Sequence, residues 1–180
     1  MLLRVLRESC PALKAHWPES QAPEDWHGVT MEDGRVVELS LPNMRLGGAV
    51  PAEIGRLTSL RVLDLRGNQL TSLPSEIGQL TSLTYLSLGY NQLTSLPAEI
   101  GQLASLTWLD LEKNQLTSVP VETWQLTSLK DLVLACNQLT SLPVEIWQLA
   151  SLERLYLTPD QLTRVPAAIR KFGPSKVIMV

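Results

Sequence analysis

The chain has 180 residues, 44% hydrophobic and 18% charged, with a formal net charge of -3. That size suits one domain with a buried core, and the slight acidity supplies no basic stripe for nucleic-acid phosphates. No apolar run approaches the roughly 20 residues that span a bilayer, so membrane insertion is not expected.

Residues 1–35 read as an amino-terminal cap. Leu2, Leu3, Val5, Leu6, Leu13 and Trp17 are apolar at near-helical spacing, and Pro11 divides the stretch into two short helices. Arg4 and Arg7 interrupt the opening MLLRVLRESC, which argues against a secretory signal. Cys10 and Cys136 are too few for a disulfide framework and point to a reducing compartment. Together these features predict an intracellular, cytoplasmic protein with two free thiols. Pro18 to Glu24 reads as a loop.

Residues 36–170 are a repeat array. A first unit of 24 residues begins at Val36, and units of 23 residues follow from Leu60, Leu83, Leu106, Leu129 and Leu152. NQLTSL recurs at Asn68, Asn91 and Asn137, and NQLTSV at Asn114. The unit fits L-x-x-L-x-L-x-x-N-x-L, followed by T-S-L-P-x-E-I-G-Q-L-T-S. Alternation such as Leu63, Asp64, Leu65 is the period-two signature of a short strand with its leucines turned inward. Pro74, Pro97, Pro120, Pro143 and Pro166 suit the first position of a short helical turn, where a missing N–H costs nothing. Glu76, Glu99, Glu122 and Glu145 then occupy the third helical position. There a carboxylate favours the positive helix end and reaches the N–H of the preceding cap residue.

Residues 171–180 read as a truncated closing strand or cap. Extending the register over Arg170 to Val180 puts Ile178 and Val180 on strand leucine positions. The terminal KVIMV then forms an exposed sheet edge. Asp160 stands where the next ladder asparagine belongs.

A period in the range of 20–50 residues marks a solenoid, and from about residue 36 to residue 170 the chain resembles the leucine-rich repeat family. The segment EDWHGVTMEDGRVVELSLPNMRLGGAVPAEIG is similar to the amino-terminal cap and first coil of plant-type members. Trp26, Gly28 and Val29 match their W-x-G-V pattern. The cysteines that usually flank this pattern are absent, with Met31 near one of their places, which argues against a disulfide-locked extracellular version. The resemblance implies an α/β solenoid with a helical amino-terminal cap, a parallel β-sheet on its concave face and short helical turns on its convex face. It also implies that Asn68, Asn91, Asn114 and Asn137 form a buried ladder bonded to the backbone of adjacent coils.

Chemistry has little to work with. The histidines, His16 and His27, both fall in the cap, the Ser and Thr residues lack a matched base, and no phosphate loop or Cys/His metal spacing is present. No enzyme activity, cofactor or metal is expected. Variation concentrates on the strand face, so the candidate partner-binding residues are Arg61, Asp64, Arg66, Tyr85, Tyr90, Trp108, Asp110, Lys113, Asp131 and Tyr156. Tyr85 and Trp108 are equivalent in adjacent coils, about 5 Å apart. They read either as a binding hot spot with a polar rim or as drift at unconstrained positions. Trp124 and Trp147 replace the glycines at 55, 78 and 101. They either cover the later coils or form an aromatic patch for a second partner.

The resulting expectation is a non-catalytic scaffold that recognises a protein of unknown identity on its strand face. The alternatives are an assembly subunit using the carboxy-terminal edge and the two tryptophans, or the recognition fragment of a larger signalling or immune-type protein.

Overall fold

The computed structural model of the protein describes residues 2–164 and 177–180. Its strands are β1 (Val29–Glu32), β2 (Arg35–Ser40), β3 (Gly48–Ala49), β4 (Val62–Asp64), β5 (Leu70–Ser72), β6 (Tyr85–Ser87), β7 (Trp108–Asp110), β8 (Asp131–Val133), β9 (Arg154–Leu157) and β10 (Val177–Met179). Helices α1 (Leu2–Ser9) and α2 (Pro159–Arg164) lie near the two ends. Eight strands form one sheet in the order β1-β2-β4-β6-β7-β8-β9-β10, parallel throughout except for β1 against β2. Successive coils pair in unbroken register, Val62 to Tyr85 to Trp108 to Asp131 to Arg154. Because side chains alternate along a strand, the residue between each outward pair faces inward. Leu63, Leu86, Leu109, Leu132 and Leu155 are accordingly buried in one continuous core.

The returning half of each coil is a five-residue 3-10 turn: Ala52–Arg56, Ser75–Gln79, Ala98–Gln102, Val121–Gln125 and Val144–Gln148. Pro74, Pro97, Pro120 and Pro143 precede these turns with extended backbone, as cap residues rather than first helical residues. Pro166 lies outside the described residues. The shift moves each glutamate to the second helical position and removes its expected capping bond, since a proline cap has no N–H to offer. Glycine at 55, 78 and 101 has a direct steric cause. A Cβ on Gly78 would sit 2.7 Å from the Glu99 carbonyl oxygen, and one on Gly101 2.4 Å from that of Glu122.

Trp124 breaks this pattern and changes its surroundings. It is fully buried within the core cluster, next to Thr123, which replaces the isoleucine of the preceding coils. Its indole N–H and the Thr123 hydroxyl have no hydrogen-bond partner among the described residues. Trp124 therefore offers no exposed aromatic surface, in keeping with the reading that it covers the later coils and not with the alternative of a second patch. The side chain of Trp147 lies outside the described residues.

At the front, α1 and a 3-10 turn at Pro11–Ala15 cover the first coil. Trp17 stacks on Trp26 at 5.0 Å between ring centroids. Their indoles donate to the His27 and Pro18 carbonyls at 2.9 and 3.0 Å. Gly28 has φ +76, and a Cβ there would lie 1.9 Å from the Ser40 carbonyl oxygen, so the glycine of W-x-G-V lets the cap close on β2. The antiparallel hairpin β1–β2 was not anticipated. It turns through Asp33 and Gly34, both with positive φ, an Asp-Gly signal present in the sequence.

The asparagines join the coils. Asn91 Nδ2 donates to the carbonyls of Leu65 and Leu88, and its Oδ1 accepts from the backbone N–H groups of Asn68 and Leu70. Asn68, Asn114 and Asn137 make equivalent bonds. In the next coil the bond to the Leu134 carbonyl comes from Gln161 Nε2 at 3.0 Å, not from Asp160. Gln161 is 3% exposed, whereas Gln69, Gln92, Gln115 and Gln138 point to solvent. The closing strand also departs from expectation: β10 pairs Val177 with Leu155 and Met179 with Leu157. Val177 and Met179 thus hold the leucine register, one residue before Ile178 and Val180. Helix α2 stands at the offsets that carry the asparagine segment (136–141) in the preceding coil, and this coil spans 22 residues from Leu155 to Val177 instead of 23. The expected end of the array at residue 170 lies outside the described residues.

Candidate functional site

The outward positions of β6, β7 and β9 assemble an aromatic stripe. Tyr85 and Trp108 stack with centroids 5.9 Å apart and planes inclined by 13°. Trp108 meets Tyr156 at 6.4 Å and 49°. The last contact crosses β8, where the outward-facing Val133 is buried. All three rings remain partly exposed. Burial first, and then the Asp64 carboxylate, push the Tyr85 phenol above its ordinary pKa.

A second group forms where the chain leaves the strands. Tyr90, 38% exposed, lies beneath two cations: the Arg66 guanidinium at 4.6 Å from its ring centroid and the Lys113 ammonium at 4.7 Å. Its hydroxyl donates to Glu112 at 3.4 Å. Tyr90 and Lys113 both have left-handed backbone, as do the equivalent Gly67 and Cys136. This bend carries the position before each asparagine from the strand onto the rim.

The remaining candidates behave differently. Asp131 is 5% exposed and bound through both carboxylate oxygens by Arg154, one coil later. Asp110 is buried too, accepting from the Ser87 hydroxyl at 3.0 Å and the Glu112 N–H at 2.9 Å. Asp64 accepts from the Arg66 N–H. Arg61 turns away to pair with Glu32 of β1. Sequence reading took Asp110 and Asp131 as rim charges, but their carboxylates are consumed inside the scaffold. It did not include Arg154 among the candidate residues. Opposite charges at equivalent offsets of neighbouring coils, Asp131 and Arg154, were the available signal. Among the described residues no cluster of His, Cys, Asp or Glu could hold a metal ion, and no helix is long and apolar enough to cross a membrane.

Residues 58–116 and 104–162 each match the leucine-rich repeat family model. The chain belongs to the leucine-rich repeat family. Leucine-rich repeat domains typically mediate protein–protein interaction and are generally non-enzymatic. The curated leucine-rich repeat receptor protein kinase EMS1 of Arabidopsis thaliana is 48% identical over 61 residues, which is 33% of this chain but 5% of that relative. Among solved structures, one in the Arabidopsis BIR3–SERK2 complex is similar at TM-score 0.70 and 33% identity, covering 81% of this chain and 85% of that one. The ectodomain of the Arabidopsis receptor kinase SOBIR1 matches at 0.70 and 26%, covering 87% and 88%. A plant ice-binding protein matches at 0.78 and 26%, covering 91% and 55%.

These likenesses to receptor kinases and an ectodomain overturn the intracellular, cytoplasmic expectation. The repeated leucine core and the asparagine ladder hold this leucine-rich repeat together without disulfides. Cysteine scarcity therefore reported on how the scaffold is built and not on its compartment.

Proposed function

We propose that the strand face recognises a protein partner without catalysis. The aromatic stripe of Tyr85, Trp108 and Tyr156 would act as its anchor, and the Arg66–Tyr90–Lys113 group as its charged margin. The observation that carries this reading is the Tyr85–Trp108 stack, in which two partly exposed rings brace each other on a rigid sheet. Pre-stacked aromatic groups lose little side-chain freedom on binding and present large apolar areas. The BIR3–SERK2 complex, which contains a chain of the same fold, supports a protein as the partner class. A second reading, the recognition part of a larger signalling or immune-type protein, draws support from the receptor-kinase relatives.

The test is capture of a partner by the wild-type chain, followed by titration with the double variant Tyr85→Ala, Trp108→Ala. Central aromatic anchors often cost about 2 kcal/mol or more when truncated, roughly a thirtyfold loss of affinity. A charge change on the opposite side, Val121→Lys, should leave binding intact. Equal affinity of the double variant and wild type would sink the strand-face reading.

A further inference from the structure

One surface of the solenoid repeats where the strand face varies. Between each ladder asparagine and the following buried leucine, four coils carry identical exposed side chains. They are Gln69, Thr71 and Ser72; Gln92, Thr94 and Ser95; Gln115, Thr117 and Ser118; and Gln138, Thr140 and Ser141. Some other exposed positions of the same coils have diverged, although Gln79, Gln102, Gln125 and Gln148 on the convex turns are also alike. The convex turns carry Ser75, Ala98, Val121 and Val144 at one equivalent place, and the strands carry Val62, Tyr85, Trp108 and Asp131 at another. Copying alone would have left all of these alike. Burial does not account for the identity of these twelve solvent-facing residues, and the coil-to-coil backbone bonds beneath them set them apart from the convex row.

The geometry of these rows is regular. Leu70, Leu93, Leu116 and Leu139 are buried beneath them, so the period-two alternation turns the glutamine and the threonine outward. The rows are tied coil to coil by backbone bonds from Gln92, Gln115 and Gln138 to Leu70, Leu93 and Leu116, at 2.8, 2.9 and 2.9 Å. That fixes a repeat of about 4.7–4.9 Å along the solenoid. None of the twelve side chains carries a charge, and none is hydrogen-bonded to the protein among the described residues. The rows also lack the aromatic and arginine anchors that mark protein-binding hot spots.

We propose that this flank binds ice. A rigid grid of uncharged hydroxyls and amides suits a ligand that is itself a rigid grid of hydrogen-bond donors and acceptors, and the coil repeat is close to the shortest oxygen repeat of hexagonal ice. Each bond to lattice water nets little, but simultaneous engagement of rows on one rigid body multiplies the effect. A charged side chain in the rows would hold its own liquid hydration shell and keep the two lattices apart. The inference is independent of the strand-face reading, since it uses a different surface.

The full chain is tested for partition into a growing ice front and for slowing of ice recrystallisation. Wild type should do both. The pair Thr94→Lys, Thr117→Lys should need about tenfold more protein for the same effect. The charge-matched pair Val121→Lys, Val144→Lys on the convex turns should match wild type. Thermal melts accompany every variant. If the threonine pair melts early, Gln92→Glu with Gln115→Glu, which keeps side-chain shape, takes its place with the same expected loss. Exclusion of the wild type from ice, full activity of both charged-row pairs, or adsorption to crystalline cellulose with none to ice would each overturn the proposal.

Discussion

Arg154 holds both carboxylate oxygens of Asp131 across two adjacent parallel strands, and the aspartate is almost wholly buried as a result. The aspartate is in register with Trp108 on its other side, so this row of outward residues passes from an aromatic ring to a neutralised pair and not to a free acid. Side by side on one sheet, each outward residue sets what its neighbour in the next coil can do.

The polar ladder makes the first prediction. Asn114→Leu should cost about 1–3 kcal/mol, because the Leu88 and Leu111 carbonyls and the Leu93 N–H lose a buried partner. Gln161→Leu should cost about 1–2 kcal/mol by the same reasoning, as the Thr158 N–H loses its acceptor and the Leu134 carbonyl keeps only its bond from Asn137. Chemical denaturation midpoints provide the check. Wild-type midpoints for both variants would show that the coils hold together on leucine packing alone.

Thiol chemistry separates the two cysteines. Cys10 is buried, and burial pushes its thiol above the ordinary range, which suppresses the reactive thiolate; Cys136 is exposed. A thiol reagent at neutral pH should titrate one group quickly in the folded protein and the second only after denaturant is added. Two equally fast equivalents in the folded state would contradict the packing of α1 on the first coil.

The raised phenol of Tyr85 gives stability a pH dependence. Because the folded state holds the proton more tightly than the unfolded chain, the tyrosine contributes no slope below the ordinary value of 10.0. Stability then falls as pH rises from there toward the folded value, since only the unfolded chain releases the proton readily. Melting temperatures should drop as pH rises above the ordinary tyrosine value of 10.0, and Tyr85→Phe should remove part of that drop. An unchanged slope in Tyr85→Phe would mean that the ring is not desolvated by its stack with Trp108.

The repeat itself settled the architecture from sequence. Leucines at strand offsets can be buried only if successive coils stack, so the period called for stacked parallel strands and turns, while the asparagine ladder followed from the family resemblance. The strand face was legible as a list, because offsets place Tyr85, Trp108 and Tyr156 on one side of the sheet. What the list left open were relations between coils. Whether Asp131 is a free rim charge depends on Arg154, which is 23 residues away. Whether Trp124 is surface or core was not set by its offset, since it stands at a glycine position and is fully buried beside Thr123. Gln161, one residue past the asparagine offset, takes the ladder bond in a coil that is itself one residue shorter, an irregularity that no periodic template contains. Periodicity fixes what every coil shares. Contacts between particular side chains depend on local volume and charge, and those exist only once the coils are stacked.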